Sequence, residues 1–224
     1  MRISVLIPAF NAAATLAETL ASVHAQTLVA DEVVVVDDGS TDSTAEIAAD
    51  DPRVRLVRQA NAGPAAALNA GLQLATGTAI ALIDADDLWL PHKLHDQAAA
   101  LSAEPALDGV FGHVEEFVSP ELNPEQKARF QPREPQPTRL GGALLVRRAL
   151  TDRVGGFDPT LRVGYFIDWM DRARAAGARW RMSSGVVVRR RLHPGSLSHR
   201  SAATDRDMIA VARLALARRR TSAG

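Results

Sequence analysis

The sequence predicts an α/β fold with a mainly parallel central sheet flanked by helices, and three observations carry that expectation. Short apolar runs alternate with helical periodicities through the first 90 residues. The run Val33-Val34-Val35-Val36 is β-branched with no polar alternation, as a strand covered on both faces requires. Three of the runs end in polar sequence that suits turns: Pro8-Ala9-Phe10-Asn11, Asp37-Asp38-Gly39-Ser40 and Asp84-Ala85-Asp86-Asp87.

The elements follow in order. Residues 3–8 form an apolar strand stopped by Pro8. Residues 15–26 carry Leu16, Leu20 and Val23 at helical spacing, with Thr15 as the expected cap. A second strand begins at Glu32, and Thr41 or Asp42 is expected to cap a helix running through Ile47. Residues 54–57 form a third strand, 64–74 an Ala-rich helix and 80–83 a fourth strand. Further on, the spacing predicts a helix over 93–101, a strand over 110–118 and a loop with five prolines over 119–137. A strand at 143–146, helices at 147–154 and 166–176, a strand at 186–192 and an amphipathic helix at 207–220 complete the chain. Leu16, Leu20, Val23 and Trp180 are core residues by default.

The bulk properties narrow the function classes. The 224 residues suit one sizeable domain, and 46% apolar with 23% charged residues describes a globular chain. The absence of cysteine excludes disulfides, thiolate nucleophiles and zinc–cysteine sites. No run of 18 apolar residues exists, and the apolar N-terminus is short for a signal peptide, so a cytoplasmic, non-spanning protein is expected. The formal charge of zero divides sharply: residues 1–138 carry 8 basic and 20 acidic groups, residues 139–224 carry 18 and 6. An acidic, cation-holding site opposite a basic wall suits an anionic ligand. Aromatics are only 4% and are not interleaved with the basic residues, so no nucleic-acid partner is expected.

In parallel sheets, ligands bind at the carboxyl ends of the strands. The crowded carboxylates Asp84, Asp86 and Asp87 repel one another unless positive charge lies between them, and a hard divalent cation takes oxygen ligands of this kind. The competing explanation is a helix N-terminus capped by Asp86 or Asp87, with Pro91 in its first turn. It accounts for one aspartate of the three.

The segments IPAFNAAATLAETLASVHAQT, VVVVDDGSTDST, NAGPAAALNAGL and ALIDADDLWLP resemble, in order and spacing, the four N-terminal motifs of family 2 glycosyltransferases. GGFDPTLRVGYFIDWMDRARAAG is similar to that family's acceptor-side motif. The resemblance implies a GT-A fold and inverting transfer of a sugar from a nucleotide-diphosphate donor, often a UDP-sugar, with Mg²⁺ or Mn²⁺. It implies that Asp86 binds the metal and Asp84 the metal or the ribose, with Ala85 between them, and that Asp87 touches donor sugar or metal. Pro8, Phe10 and Asn11 match the loop that meets the base. Asp38 matches the residue that accepts a hydrogen bond from uracil N3–H, and Asp37 is left to orient the turn. Asn61 and Gly63 open the third motif and join the donor-binding set. Arg191 and His193 match a segment that closes over the diphosphate, with His193 also a candidate metal ligand. An inverting displacement needs a base, and Asp168 is the best match, ahead of Asp171. Its alternative role is as a helix cap or as the partner of Arg172.

Two departures stand out. The glutamate–aspartate pair expected at the start of the acceptor-side helix is replaced within Tyr165-Phe166-Ile167-Asp168. The family's Ala-Arg-Asn is here Ala67-Leu68-Asn69. The expectation is therefore one glycosyltransferase domain over residues 1–224. Its donor half is 1–115, its acceptor half 139–200, and its C-terminal helix lies in 201–224. The 119–137 loop is expected to order over the donor. The acceptor is left open between saccharide, lipid-linked, small-molecule and peptide hydroxyls. The C-terminal arginines allow peripheral contact with an anionic membrane at its inner face. Competing functions are a non-catalytic nucleotide-sugar-binding protein and a sugar-phosphate nucleotidyltransferase. The second would want glycine and a cation in the 8–12 loop, which has neither.

Overall fold

The computed structural model describes residues 1–195 and 201–221. Four parallel strands, β1 (Ile3–Ala9), β2 (Glu32–Asp37), β3 (Val54–Arg58) and β4 (Ala79–Leu82), lie in the order β3-β2-β1-β4. Helices α1 (Leu16–His24), α2 (Thr44–Ala49) and α3 (Pro64–Leu74) connect them. β1 is central, and Val5, Leu6 and Ile7 have no exposed surface. The chain leaves β1 towards β2 on one side and returns through α3 to β4 on the other. That reversal opens a crevice at the strand ends.

The sheet continues past β4 with antiparallel β8 (Leu144–Arg147), then β6 (Gly109–Val118) and β9 (Trp180–Leu192), with β5 (Leu88–Trp89) at the far edge. β6 and β9 are parallel, with register shifts around Phe111 to Val114. Helices α4 (Lys93–Ala103), α6 (Arg148–Val154), α7 (Tyr165–Ala175) and α8 (Ser201–Thr221) complete the layers. The expected 119–137 loop contains a short helix α5 (Pro124–Lys127) with an Asn123–Gln126 capping box, and a two-residue strand β7 (Gln136–Pro137) paired with β6. β9 starts six residues earlier than its apolar pattern predicts. Trp180 is drawn into it by packing on Phe111 at 5.5 Å and Trp169 at 6.2 Å.

Two expected caps are corrected. Thr15 does not cap α1 with its side chain; its hydroxyl donates to the carbonyl of Ala85 at 2.8 Å. α2 starts at Thr44, and Asp42 accepts from the Thr44 N–H at 3.1 Å. No helix among the described residues is long and apolar enough to cross a membrane.

Candidate active site

The parallel register sets the site. Leu6 pairs with Leu82, so Asp84 follows two residues beyond the last paired position, level with the carboxyl end of β1. Asp84, Asp86 and Asp87 each present an oxygen, all within 4.8 Å of one another. The helix-cap explanation for these aspartates fails, because Leu88 and Trp89 form β5 against β9 and the next helix begins at Lys93.

The turn is tied down from both sides. α1 supplies Thr15 to the Ala85 carbonyl and Thr19 to the Asp87 carbonyl at 2.9 Å. From β9, the Arg191 N–H donates to Asp87 Oδ1 at 2.9 Å, and Arg191 Nε donates to the Asp86 carbonyl at 2.8 Å. Loss of water first, and the charge of Asp86 second, push the Asp84 carboxyl up to about 6, with Arg190 acting against both. Burial, then Asp86 and Asp84, push Asp87 well above the usual carboxylate range. A cluster that resists its own ionisation is one that positive charge stabilises. The all-oxygen donor set fits a hard divalent cation.

His193 reaches this cluster, with Nε2 2.9 Å from Asp86 Oδ2. The spacing suits a hydrogen bond and equally two neighbouring ligands of one cation. Atoms held at about 2.1 Å and at right angles lie about 3 Å apart. Residues 196–200, which follow Gly195, lie outside the described residues. Arg191 is brought close but is differently used than expected. Its side chain is 2% exposed and spends its donors on the Asp86 carbonyl, Ser119 Oγ and Glu18. That makes it a buttress beneath the aspartates in this structure. Arg189 and Arg191 share a face over the Phe117 ring, each at 4.7 Å, while Arg190 faces the other way, as strand alternation requires.

At the end of β2, Asp37 orients the turn through the Ser40 N–H at 3.0 Å and pairs with Arg58 at 3.1 Å. Asp38 is 3% exposed and gathers the 59–63 loop, accepting from Gln59 Nε2 at 2.7 Å, the Ala62 N–H at 2.9 Å and the Gly63 N–H at 2.8 Å. A carboxylate offers about four lone-pair sites, so three donors leave one for a ligand. Asn61 lies against Gly39, where φ is +77° and an added Cβ would stand 2.9 Å from the Asn61 nitrogen, leaving no room for a side chain. Asn11, in the left-handed region at φ 49°, accepts from the Thr41 N–H at 2.9 Å and donates its own N–H to Ser40. Pro8 is half-buried in β1, and Phe10 projects with half its surface exposed. Leu68 is core, 3% exposed.

On the acceptor side, Asp168 is 2% exposed, and both its oxygens are taken. Oδ2 accepts from Arg172 Nε at 2.9 Å and Oδ1 from Arg218 of α8 at 2.8 Å. Arg218 also binds Asp171 at 3.1 Å. The pairing with Arg172, the alternative foreseen from spacing, is thus present. The side chains of Arg219 and Arg220 lie outside the described residues. Tyr165 opens α7, and the charges of Asp84 and Asp86, after burial, push its phenol well above its ordinary value. It therefore stays a neutral hydrogen-bond donor.

Sequence reasoning missed several supports. Thr15 and Thr19 are spaced i, i+4 on the inner face of α1, a signal that was available. Asn69 was not separable from its helix: its amide donates to the Phe157 carbonyl and its Oδ1 accepts from the Phe157 N–H, both at 2.8 Å.

The comparisons agree with this geometry. The family model "Glycosyl transferase family 2" matches residues 4–163. The succinoglycan biosynthesis protein ExoU of Rhizobium meliloti is 34% identical over 89% of this chain and 65% of its own length. An uncharacterized glycosyltransferase of Nostoc is 43% identical over 42% of this chain and 31% of its own. The chain thus spans about a third to two thirds of the length of these relatives. Among solved structures, S. aureus TarS 1–349 in complex with UDP-GlcNAc superposes with a TM-score of 0.78 at 23% identity, over 96% of this chain and 65% of TarS 1–349. The fold is that of the GT-A glycosyltransferases, and the chain belongs to glycosyltransferase family 2.

Proposed function

We propose that this glycosyltransferase moves a sugar, with inversion, from a nucleoside-diphosphate donor, UDP being the nucleotide, to an acceptor hydroxyl, with Mg²⁺ or Mn²⁺ bound. The observation that carries this is that the Asp38 turn and the Asp84–Asp87 cluster lie at the same end of β2 and β4, the two strands that flank β1. TarS, similar in fold, binds UDP-GlcNAc, which supports a UDP-sugar. Asp84 and Asp86, with His193, would hold the cation, which supplies charge to the departing diphosphate. Asp38 offers its remaining lone pair to the base, and Pro8, Phe10, Asn11, Asn61 and Gly63 line that end. Arg191 and the α1 threonines keep the acidic turn from rearranging.

Residues 1–115 serve the donor, 139–200 the acceptor, and α8 braces the acceptor side. The name of the Rhizobium relative supports a saccharide acceptor. A cytoplasmic setting is part of the same proposal.

One observation favours a second function, nucleotide-sugar binding without transfer: both oxygens of Asp168 are engaged. Asp168 acts as the base only when Arg218 gives way.

The test is calorimetric titration with UDP, GDP, CDP and TDP, each with and without Mn²⁺, repeated on Asp86→Asn. UDP binding that needs both Mn²⁺ and Asp86 is the expected result. A folded protein that binds none of the four overturns the proposal.

A further inference from the structure

Four side chains form the first turn of α7, and they divide by what they can do. Phe166 stacks on Trp169 with ring centroids 6.1 Å apart, and it lies against Gly141 and close to Leu82, at the carboxyl end of β4. This turn of α7 therefore sits over the strand that delivers the aspartates. Ile167 points outward, about half exposed. Asp168 has both oxygens bound to arginines. Only Tyr165 carries a polar group without a hydrogen-bond partner among the described residues, and it is the residue on which Asp84 and Asp86 both act.

Its aim is set by rigid neighbours. Gly164, at φ +79°, turns the chain sharply into α7 and sits beneath Val211 and Met208 of α8. The preceding N–H groups of Arg162 and Val163 both donate to Asp207 Oδ2, at 2.9 and 2.8 Å. The Tyr165 ring meets Phe157 edge-on at 5.7 Å, and Phe157 is itself held by Asn69. A phenol fixed in this way feels the charge of both carboxylates and is hydrogen-bonded to neither.

Building on the donor-site proposal, we propose that Tyr165 is a specificity-determining contact, donating a hydrogen bond from the acceptor half to the transferred-sugar end of the nucleotide sugar. It opens the same turn of α7 that carries Asp168, and a hydroxyl donor there can serve a sugar oxygen. The Asp38 turn follows β2, two strands away from β4 in the sheet, so on this proposal the hydroxyl serves the sugar and not the base.

The experiment compares wild type with Tyr165→Phe, which keeps the ring and its packing, by titrating UDP, UDP-N-acetylglucosamine and UDP-glucose with Mn²⁺ present. The expected result is unchanged UDP affinity and about 5-fold weaker binding of the UDP-sugar that wild type prefers, the scale of one neutral hydrogen bond. Equal binding of UDP-sugar by both proteins overturns the inference and leaves the donor-site proposal standing. An equal loss for UDP and UDP-sugar also overturns it, because the hydroxyl then supports the nucleotide site as a whole. A wild type that binds no UDP ligand removes both proposals together.

Discussion

Asn69→Ala and Gly156→Ala should behave as one lesion rather than two. Asn69 on α3 makes a two-point tie to the backbone of Phe157, donating to its carbonyl and accepting from its N–H at 2.8 Å each. Removing the side chain leaves both backbone groups without partners, at about 1–3 kcal/mol apiece. An open groove of about 490 Å³, lined by Asn69, Gly156 and Phe157 among others, lets water reach them and keeps the cost near the lower end. A loss of about 2–3 kcal/mol follows. Gly156 reaches the same end by another route. A Cβ there would stand 2.4 Å from Asn69 Oδ1 and 3.0 Å from its Cγ, so the amide must swing away and abandon both bonds. In the double variant the clash has nothing to strike, so its cost should match either single variant, a coupling of about 2 kcal/mol. Urea denaturation of the four proteins measures this, with m unchanged. In thermal melts each single variant should lose roughly 4–12 °C, at about 2–4 °C per kcal/mol for a chain of this size. Additive costs, with the double variant losing the sum, would refute the shared tie.

Two predictions concern groups held in unfavourable ionisation states. Asp84, its carboxyl pushed up to about 6, keeps its proton to that pH in the folded, metal-free protein, whereas the unfolded chain releases it near the ordinary value of 3.8. The folded state therefore binds more protons in that window, and stability falls as pH rises through it. Asp84→Asn should gain on wild type between pH 4 and 7 in chelator, and a constant difference across that range would count against the assignment. Lys93 is 1% exposed, donates to Gln97 and to the Leu144 carbonyl, and stands over the Trp89 ring, with no carboxylate partner among the described residues; burial depresses its pKa strongly. The unfolded chain binds this proton at pH values where the folded protein does not, so its contribution to stability rises with pH. Lys93→Met should therefore compare best with wild type at neutral pH and lose ground towards pH 9.5, as read by urea midpoints; the opposite trend would show a charged, stabilising amine.

The strand-and-helix order through residue 83 was legible because buried parallel strands leave unbroken β-branched runs and helices leave a 3.6-residue period. The acidic cluster and the Asp38 turn were legible for a related reason, since polar groups at strand ends need a purpose that core packing does not supply. The roles of Asp168 and Arg191 were not legible. Residue type marks what a side chain can donate or accept, and only tertiary contact decides which groups have already claimed it. Arg218, 50 residues from Asp168 in sequence, occupies an oxygen that an acceptor would need. Glu18, 173 residues from Arg191, claims a guanidinium that matched a phosphate contact.

The same division explains Tyr165. Composition and spacing gave it no distinction from a core aromatic, because its hydroxyl acquires meaning only from carboxylates some 80 residues away. Local chemistry, written in short stretches, determined the family, the sheet and the acidic end of β4. Long-range packing decided which of those chemical groups remain free to meet a substrate, because each hydrogen-bonding site is used once and its partner comes from wherever the fold brings it.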